Sequence, residues 1–522
     1  MLWRLLALST VPFPFVAPVG AQCGTTFEYF DQSIAPVFEP SVNELAVWDP
    51  DGPGAAGEVV AIAGDFFDLE GQFVNDLATY DPETGSFSQL APWINDGTPL
   101  GIATSDVGRL AVRVQVNFSD YEVREWDGQV WTTLAAIPGS IWTADGVHDL
   151  IYLANGDLVA GGEFTAIGGV AADKVARWDG TSWSPLGTGL IGTVQTLHLD
   201  DQGDLIAGTG GFSGGPAVEG VARFDGSAWA PYLTGTQGVA DSVNDLAFLS
   251  DGRIAATGVF DFPGLAVSSS VAIWDGADWT LPGAGIPPSD LQGFGTASAV
   301  QELPGGDLLV GGRFTTAGGV TSRGLARWDG NVWSDQIGPP LGPIALYAEL
   351  LDLLLGPGGD VWAGGQILFS GTSIAGGLGR LVADCKAGAT TYGTGGTGSS
   401  GPIQLSTASL PWLATTVTAQ VEGLAPGAIA LSLLGFQPAA TPLPLVTPEG
   451  TADSTLLLVP DLAFFAVLPP SPTGASWNLA LPAAPGLVGT PLYLQALSAE
   501  PLPSGALLLA TSNGLELTPG QF

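Results

Sequence analysis

Histidine and cysteine are scarce in this sequence, and their scarcity excludes several kinds of catalytic site. The 522 residues include two histidines, His148 and His198, and two cysteines, Cys23 and Cys385. A Ser-His-Asp triad, a Cys-His pair or a zinc site of three or four ligands needs more such side chains, or a closer sequence context, than these four provide. We therefore expect no metal centre of this kind, and we interpret both histidines as packed structural residues.

Basic residues are also few. There are 13 Lys and Arg against 51 Asp and Glu, which gives a formal net charge of −38 at pH 7. Binding to phosphates needs clustered Lys and Arg, so nucleic acid and anionic membranes are not expected partners. The excess of carboxylates suits solubility in an external medium or, alternatively, the binding of a cation.

Long hydrophobic runs are absent after the N-terminus, so no retained membrane helix is expected. Residues 1–21 combine Arg4, an apolar run from Leu5 to Val16 and the small residues Val19-Gly20-Ala21, which is the pattern of a secretory signal peptide. Gln22 immediately precedes Cys23, which disfavours lipidation of that cysteine. The sequence thus predicts a secreted or cell-surface protein.

Glycine, proline and tryptophan are abundant, with 76, 40 and 16 copies, and 46% of residues are hydrophobic. This composition is typical of a packed, turn-rich β protein. An aromatic-Asp-Gly motif recurs, followed three residues after the Gly by Trp. The clear copies begin at Trp126, Trp178, Phe224, Trp274 and Trp328. Asp-Gly between strand-forming runs predicts a hairpin with a type I′ turn, so the motif aspartates are interpreted as turn residues and the tryptophans as core.

A second sequence motif recurs with the same period as the first. Turn-then-strand signals start at Gly57, Gly108, Gly156, Gly203, Gly252, Gly306 and Gly359, which are 47 to 54 residues apart. Several of the strands that follow end in Gly-Gly, as at Gly161-Gly162 and Gly311-Gly312. Four strands in a repeat of about 50 residues indicate a β-propeller, and seven signals predict seven blades over residues 22–386.

These motifs resemble the blades of kelch-type β-propellers. The segment Tyr80-Asp81-Pro82-Glu83-Thr84-Gly85, with Phe87 after it, is the most similar copy. In that family a Gly-Gly pair closes the second strand, an aromatic-Asp pair lies in the third and a Trp lies in the fourth. Trp replaces the kelch Tyr in most copies here. The resemblance implies the fold and does not name a ligand.

The last repeat lacks its fourth strand, because the chain passes from Val382 through Cys385 into a segment without the motif. The isolated strand Thr26–Phe30 is predicted to supply it and to close the ring. This would bring Cys23 beside Cys385, and we predict a disulfide there. The alternative is two unrelated thiols.

The repeat stops at residue 387. Residues 387–401, rich in Gly, Thr and Ser, are predicted to be a linker, and residues 402–522 contain short strands separated by Pro and Gly. The latter stretch, which has no Lys or Arg, resembles the C-terminal sandwich modules of large secreted bacterial propeller proteins. The predicted fold class is therefore all-β, with a seven-bladed propeller followed by a smaller β-sandwich domain.

For function, the sequence favours a non-catalytic, monomeric binding or surface protein that recognises a polysaccharide or a cell-surface protein. Trp93 and Trp142 lie in loops between blades, on the face with the long connections, and are the predicted ligand contacts, although anchoring of the loops is the alternative. Arg177, Arg223 and Arg327 are predicted to form ion pairs between blades. No cofactor is expected beyond a structural Ca²⁺ in acid-rich turns such as Asp200–Asp204.

A carbohydrate-active enzyme is the alternative function. A glycosidase or lyase needs only two suitably placed carboxylates, and these could lie on the same face. The motif differs from a sialidase Asp-box, in which one residue separates Asp and Gly. A copper oxidase of the galactose oxidase type would need a pair of histidines and a Cys-modified Tyr, for which this sequence gives no support.

Overall fold

The computed structural model describes most of the chain from residue 25 onward. It covers residues 25–31, 41–52, 57–90, 92, 94, 96–117, 120–137, 146–190, 192–210, 220–233, 239–262, 264–265, 267–288, 295–336, 347–368, 375–383, 387–407, 409–446, 449–459, 462–464, 474–484, 487–502, 504 and 506–521. Strands dominate this part of the chain, which confirms the predicted all-β class. Residues 26–382 form one compact unit, and residues 383–522 belong to a second.

The first unit begins with an isolated strand and continues with the first three groups of strands. These are β1 (Thr25–Asp31), then β2 (Ser41–Trp48), β3 (Val59–Asp65), β4 (Asp68–Leu69), β5 (Gln72–Phe73), β6 (Leu77–Asp81) and β7 (Ser86–Gln89), then β8 (Thr98–Thr104), β9 (Leu110–Gln115), β10 (Tyr121–Trp126) and β11 (Trp131–Ile137), then β12 (Gly146–Tyr152), β13 (Leu158–Glu163), β14 (Ala166–Ile167), β15 (Val170–Ala171), β16 (Val175–Trp178) and β17 (Trp183–Pro185).

Four further groups complete the unit. They are β18 (Thr193–Leu199), β19 (Leu205–Gly210), β20 (Val221–Phe224) and β21 (Trp229–Tyr232), then β22 (Val239–Phe248), β23 (Ile254–Phe262), β24 (Val267–Trp274) and β25 (Trp279–Thr280), then β26 (Thr296–Glu302), β27 (Leu308–Arg313), β28 (Thr316–Ala317), β29 (Val320–Thr321), β30 (Leu325–Trp328) and β31 (Trp333–Asp335), then β32 (Tyr347–Leu355), β33 (Val361–Leu368) and β34 (Ala375–Ala383).

Each group contributes to a four-stranded sheet, and we number these sheets 1 to 7; the strands of sheets 1 to 6 follow chain order, and β4-β5, β14-β15 and β28-β29 form separate two-stranded hairpins. Sheets 1 to 6 begin with β2, β8, β12, β18, β22 and β26, and the single bridge Gly210–Ser242 joins sheets 4 and 5. Sheet 7 has the order β1-β34-β33-β32, so the first strand of the chain is its outer strand. The first strand of each sheet contacts the first strand of the next, and β32 contacts β2 in the same way. In the described residues the seven sheets therefore follow one another in cyclic order.

A β-bulge interrupts the first strand of every sheet at the same place. The register shifts occur between Val42 and Glu44, Pro99 and Gly101, Val147 and Asp149, Val194 and Thr196, Val243 and Asp245, Ala297 and Ala299, and Leu350 and Asp352. The extra residue bends the strand and changes the direction of the side chains that follow it. We call the second residue of each pair the post-bulge position.

The Gly-Gly pairs of the second strands fit this bulge. A Cβ on Gly162 would lie 2.1 Å from the carbonyl oxygen of Gly146, and one on Gly365 would lie 2.2 Å from that of Glu349. The second glycine is therefore needed because the bulged strand approaches its backbone closely. The first glycine makes room for the next sheet, since a Cβ on Gly364 would lie 2.7 Å from Val42 Cγ1, across the contact of sheets 7 and 1.

Gly162→Ala should destabilise the protein, because the added methyl group meets a backbone carbonyl and cannot be accommodated by a side-chain rotation. We expect a loss of about 1–3 kcal/mol or more in the free energy of unfolding, measured by urea titration. Gly264→Ala is the matched control, since nothing lies within 4 Å of its added Cβ. Equal midpoints for the two variants would contradict this account of the Gly-Gly pair.

The Asp-Gly hairpins differ from the predicted type I′ turn. Gly180 has a φ of 91°, whereas Asp179 is not among the residues with positive φ, so the two central positive angles of a type I′ turn are missing. Trp178 pairs with Trp183, which leaves a four-residue loop. Asp179 Oδ1 accepts hydrogen bonds from the backbone N–H groups of Thr181 and Ser182 at 2.9 Å each. The motif aspartates are thus confirmed as turn residues, which act through their side chains.

Most of the motif tryptophans belong to the core, as predicted, whereas Trp131, Trp178 and Trp229 are half-buried. Trp183, Trp279 and Trp333 are buried, and Trp178 and Trp183 lie with ring centroids 5.7 Å apart. Trp183 Nε1 donates to the carbonyl oxygen of Leu134 in the preceding group at 2.9 Å, and Trp333 Nε1 donates to that of Pro282 at 2.9 Å. Each of these indole rings therefore packs against an aromatic residue of its own sheet and donates a hydrogen bond to the preceding group of strands.

The arginines before the aromatic residues form ion pairs within their own sheets, and the prediction of pairs between sheets was wrong. Arg177 pairs with Asp157 at 3.0 Å and Arg327 with Asp307 at 2.7 Å, while Arg223 pairs with Asp204. Each partner lies just before the second strand, which is the immediate neighbour of the third strand that carries the arginine. The distance between adjacent strands of one sheet is shorter than the distance between two packed sheets. Each arginine therefore pairs with the aspartate on the neighbouring strand of its own sheet.

The second unit consists of two principal sheets. Their strands are β35 (Gly388–Tyr392), β36 (Thr397–Gly398), β37 (Gly401–Pro402), β38 (Gln404–Thr407), β39 (Thr416–Glu422), β40 (Ile429–Gly435), β41 (Gln437–Pro442), β42 (Thr455–Val459), β43 (Leu462–Phe464), β44 (Gly474–Ala480), β45 (Leu492–Pro501) and β46 (Leu507–Thr518), with the helical turn α1 (Leu443–Val446). One sheet has the order β35-β46-β45-β40-β43 and the other β38-β39-β44. Side chains from both, such as Val417 and Leu494, share one buried cluster.

The predicted linker, residues 387–401, is part of this unit and is not a free connection. Gly388–Tyr392 pairs with β46 over five residues, from Gly388 opposite Thr518 to Tyr392 opposite Gly514. Tyr392 also packs edge to face on Tyr493 at 5.8 Å between centroids. The Gly, Thr and Ser composition suggested flexibility, but a strand added to an existing sheet gains hydrogen bonds that composition alone does not reveal.

Candidate functional site

Charged side chains gather at the post-bulge positions. The seven residues there are Glu44, Gly101, Asp149, Thr196, Asp245, Ala299 and Asp352. Four of them are carboxylates, on sheets 1, 3, 5 and 7, and Arg113 of sheet 2 contacts both Glu44 of sheet 1 and the backbone of Val147 of sheet 3. Because the first strands contact one another in cyclic order, we call these residues, with Arg113 and His198, the carboxylate ring.

Three of the aspartates join neighbouring sheets through hydrogen bonds. Asp149 Oδ2 accepts the backbone N–H of Leu197 of sheet 4 at 2.6 Å, and Asp149 Oδ1 accepts that of Leu150 in its own strand at 2.6 Å. Asp245 repeats this arrangement with Val300 of sheet 6, at 2.8 Å. The bulge explains the geometry, because it leaves unpaired N–H groups beside each post-bulge position.

Asp352 makes the same connection from sheet 7 to sheet 1. Its Oδ2 accepts the backbone N–H of Leu45 at 2.7 Å, and its Oδ1 accepts that of Leu353 at 2.8 Å. Leu45 and Asp352 are 307 positions apart in the sequence. This hydrogen bond therefore links the beginning and the end of the repeat region.

Side chains of the other sheets complete the ring. Arg113 lies 3.8 Å from Glu44 (Nη2 to Oε2) and donates from Nη1 to the carbonyl oxygen of Val147 at 3.3 Å. His198 Nε2 lies 3.1 Å from Asp245 Oδ1 and 2.8 Å from Thr196 Oγ1. Gly101 has no side chain because Arg113 fills its place: a Cβ there would lie 2.2 Å from Arg113 Nε.

Burial raises the pKa of three of the acids in the ring. Burial raises the pKa of Asp352 to about 7, with smaller contributions from Asp245 and Asp149, against the hydrogen bonds from Leu45 and Leu353. Burial also raises the pKa of Asp149, and it raises that of Glu44 well above its usual range despite Arg113. Burial alone would lower the pKa of His198, but its hydrogen bond to Asp245 and the nearby carboxylates raise it.

The described residues offer no metal centre. Among them no three His, Cys, Asp or Glu side chains are grouped as ligands for a metal ion. In the acid-rich turn proposed for Ca²⁺, Arg223 pairs with Asp204 and lies 3.6 Å from Asp200. Asp200 Oδ1 also accepts the N–H groups of Gln202 and Asp204. A cation already neutralises these oxygens, so a Ca²⁺ in this turn would have to displace the guanidinium group.

The residues predicted as ligand contacts and as a disulfide are not part of the described chain. Trp93, Trp142, Cys23 and Cys385 all lie outside the described residues. Their neighbours Pro92 and Ile94 are described, and Pro92 accepts a hydrogen bond from Trp131 Nε1 at 3.1 Å. The roles assigned to these four residues therefore stay predictions.

The carboxylate ring was missed by the sequence reasoning, although the sequence carries a signal for it. The first strands contain similar four-residue segments: Val42-Asn43-Glu44-Leu45, Val147-His148-Asp149-Leu150, Val243-Asn244-Asp245-Leu246 and Leu350-Leu351-Asp352-Leu353. Asp149, Asp245 and Asp352 thus recur at one offset, seven residues before the turn glycines Gly156, Gly252 and Gly359, and Glu44 has the same local context. Comparison of the repeats position by position would have found it.

The protein thus belongs to the all-β class, and comparisons with known proteins do not name it further. No protein-family model and no curated protein matches the sequence. Two of the solved structures that are similar to this chain come from Xanthomonas campestris and Lactobacillus plantarum. The first is a gluconolactonase with 14% identity and a TM-score of 0.31, and the match covers 70% of this chain and 99% of that one. The second is a protein with 10% identity and a TM-score of 0.34, and the match covers 69% of this chain and 100% of that one. Both TM-scores are below 0.5, so neither match assigns a function to this chain.

None of the helices within the described residues is long and apolar enough to cross a membrane.

Proposed function

We propose that this chain is a secreted, non-catalytic binding or surface-associated protein. It is built as a seven-bladed, kelch-type β-propeller whose last blade takes its outer strand from the N-terminus, followed by a β-sandwich domain. The face with the long connections recognises the ligand, for which a glycan or a cell-surface protein is the candidate. The protein acts as a monomer outside the cytoplasm and needs no cofactor, with a bound structural Ca²⁺ as the alternative.

The sheet pairing supports the architecture in this proposal. Seven four-stranded sheets lie in the described residues, their first strands contact in cyclic order, and β1 is the outer strand of sheet 7. Such a closed arrangement covers the sheet faces that would be exposed at the two ends of an open row of sheets. Connections between the second and third strands and between sheets emerge where the first strands begin, so they share one face.

One observation carries the non-catalytic part of the proposal. The three aspartates of the carboxylate ring use both oxygens to accept backbone N–H groups, within their own strand and from the next sheet. A general base or nucleophile needs an oxygen directed at the substrate. Carboxylates held in this way stabilise the scaffold and leave recognition to the loops.

An extracellular glycosidase or lyase is the alternative, because carboxylates outside the ring could lie on the same face. Incubation with a panel of polysaccharides, followed by assays for reducing ends and unsaturated products, separates the two functions. A binding protein retains polysaccharide without releasing either product. Catalytic turnover of any substrate in the panel would replace the proposal with the enzyme.

The tryptophans of the inter-blade loops provide a direct test of glycan binding. Replacing Trp93 or Trp142 with Ala should weaken binding by roughly 1–3 kcal/mol each, because a sugar ring stacked on indole loses its buried apolar contact. Titrations with and without Ca²⁺, on ligands found by a glycan array, measure the change. Unchanged affinity in a folded variant would assign these side chains to loop packing.

A disulfide between Cys23 and Cys385 is part of the proposed closure. Glu28 of β1 and Arg380 of β34, which are neighbouring strands of sheet 7, form an ion pair at 2.5 Å. Cys23 precedes Glu28 by five residues in the sequence and Cys385 follows Arg380 by five, and this equal spacing supports the proposed bond. Export from the cytoplasm would favour their oxidation.

A further inference from the structure

Three short hairpins with the same register lie between the second and third strands of sheets 1, 3 and 6. Asp68 pairs with Phe73 in the first, Ala166 with Ala171 in the second and Thr316 with Thr321 in the third. Each is anchored by a buried phenylalanine, Phe66, Phe164 or Phe314, and by a second buried apolar residue, Leu69, Ile167 or Ala317. The common anchoring makes the exposed positions directly comparable.

The hairpin of sheet 1 differs from the other two in its exposed side chains. Phe67 is 52% exposed and Phe73 is 80% exposed. The residues at the position of Phe67 are Thr165 and Thr315, and those at the position of Phe73 are Ala171 and Thr321. Small or polar residues therefore suffice for this hairpin to fold, so the two phenyl rings are not needed for its structure. Exposed aromatic residues beyond structural need favour a contact surface.

The charges around these rings also differ. The charged residues of the sheet 1 hairpin are Asp65, Asp68, Glu70 and Asp76, and no Lys or Arg occurs between Arg4 and Arg109. The equivalent hairpins carry basic residues: Lys174 pairs with Glu163 in sheet 3, and Arg323 pairs with Asp335 at 3.5 Å in sheet 6. The hairpin of sheet 1 therefore combines exposed phenyl rings with acidic groups and no basic residue: Glu70 is exposed and Asp65 is partly exposed, while Asp68 and Asp76 are buried.

We infer that the Phe67–Phe73 hairpin is a docking surface for a positively charged, Lys- or Arg-bearing polypeptide segment. The apolar stems of Lys and Arg lie well on phenyl rings, while their charged ends reach neighbouring carboxylates and the ring face itself. The net charge of −38 steers such a segment toward the protein and opposes a second copy of this chain or an anionic membrane surface. The inference rests on the proposed role of the long-connection face and names one partner class for it.

The test compares two variants, a double and a single substitution, in which residues are exchanged between equivalent hairpins. Phe67→Thr with Phe73→Thr gives sheet 1 the residues that sheet 6 has at those positions, so the hairpin should still fold. Thr321→Phe in the sheet 6 hairpin is the matched control, since it adds an exposed phenyl ring beside basic residues. Binding of a synthetic Lys-Leu peptide, its Gln-Leu counterpart and a neutral polysaccharide is measured by calorimetry at low and physiological salt.

We expect the wild-type protein to bind the Lys-Leu peptide more tightly than the Gln-Leu peptide, and more weakly as salt is added. The double Thr variant should lose about tenfold or more of this affinity, whereas Thr321→Phe should bind as the wild type does. The inference is overturned if the double variant binds the peptide normally, if charge in the peptide makes no difference, or if these phenyl rings bind only the neutral polysaccharide. Loss of glycan binding in the Trp93 and Trp142 variants is a separate readout. If the peptide does not bind but a glycan does, this inference fails and the proposed function stands. If the wild-type protein binds neither the peptide nor any glycan, the proposed function fails as well.

Discussion

Replacing Cys23 with Ser is expected to cause a large loss of stability in residues 26–382. The proposed disulfide closes a loop of 362 residues, from position 23 to position 385. In the chain-entropy model such a cross-link contributes on the order of 5 kcal/mol, and strain in the native state reduces the observed value. Urea unfolding of the oxidised wild type and of the variant measures the difference.

The matched controls use the same cysteines. Cys385→Ser and the double variant should be as unstable as Cys23→Ser, and a reducing agent should destabilise the wild type but leave the double variant unchanged. Mass spectrometry after alkylation should find no free thiol in the exported protein. Two reactive thiols in the folded wild type would show that the chain closes without this bond.

The second large effect expected is a loss of stability as the pH rises from about 4 to about 7. The pKa of Asp352 is raised to about 7 by burial, above the value of about 3.9 for an unfolded Asp. The folded state therefore binds more protons than the unfolded state in this window, and the contribution of Asp352 is complete at low pH and lost as the pH passes its folded pKa. Glu44, Asp149 and His198 shift in the same direction.

Asp352→Asn should flatten this pH dependence, because the amide stays neutral across the window. We expect the difference between wild type and variant to change by roughly 2–4 kcal/mol between pH 4 and pH 7, as measured by unfolding midpoints at a series of pH values. Asp329→Asn is the control: Asp329 is an exposed turn residue whose pKa is lowered by the N–H groups of Val332 and Asn331, so its contribution is lost only as the pH falls below about 4. Parallel profiles for wild type and Asp352→Asn would mean that Asp352 does not titrate in this range.

Much of the strand pattern was predictable because its signals are local. The repeat at Trp328-Asp329-Gly330 predicted strands that the structure places at Leu325–Trp328 and Trp333–Asp335. Alternating apolar residues and turn glycines determine such strands within a few residues of sequence. The burial of the motif tryptophans followed from the same local pattern.

The first strands were harder to predict, because their bulges break the alternation of buried residues. Val42 and Leu45 of β2 are both buried although they are three residues apart. The inserted residue brings Val42 and Leu45 to the same side despite their odd spacing. The carboxylate ring depends on this bulge, so a search for strict alternation could not reveal it.

Partner choice between strands was the other limit. Arg177 was predicted to contact a neighbouring blade, but its carboxylate partner, Asp157, lies on the adjacent strand of the same sheet. The sequence carries a signal for this pairing, because the Asp and the Arg occur together in the same repeats. The aspartates Asp157, Asp204 and Asp307 lie in the repeats that carry Arg177, Arg223 and Arg327. Similarly, Gly388–Tyr392 has a composition typical of a linker, and only the available edge of β46 makes it a strand.

The acids of the carboxylate ring lie on every second sheet. Because the number of sheets is odd, two sheets that both carry an acid must be neighbours at one place in the ring. Sheets 1, 3, 5 and 7 carry Glu44, Asp149, Asp245 and Asp352, so the acids become nearest neighbours only where sheet 7 meets sheet 1. The chain break lies beside this junction, inside sheet 7: no hairpin joins β34 to β1, whereas β1 is followed in the chain by β2 of sheet 1. The like charges at the junction of sheets 7 and 1 are thus next to a pair of strands that come from opposite ends of the repeat region. Hydrogen exchange in β1 and β34 should be fastest when the pH rises above neutrality, and we expect sheet 7 to open between these two strands before the sheets come apart elsewhere.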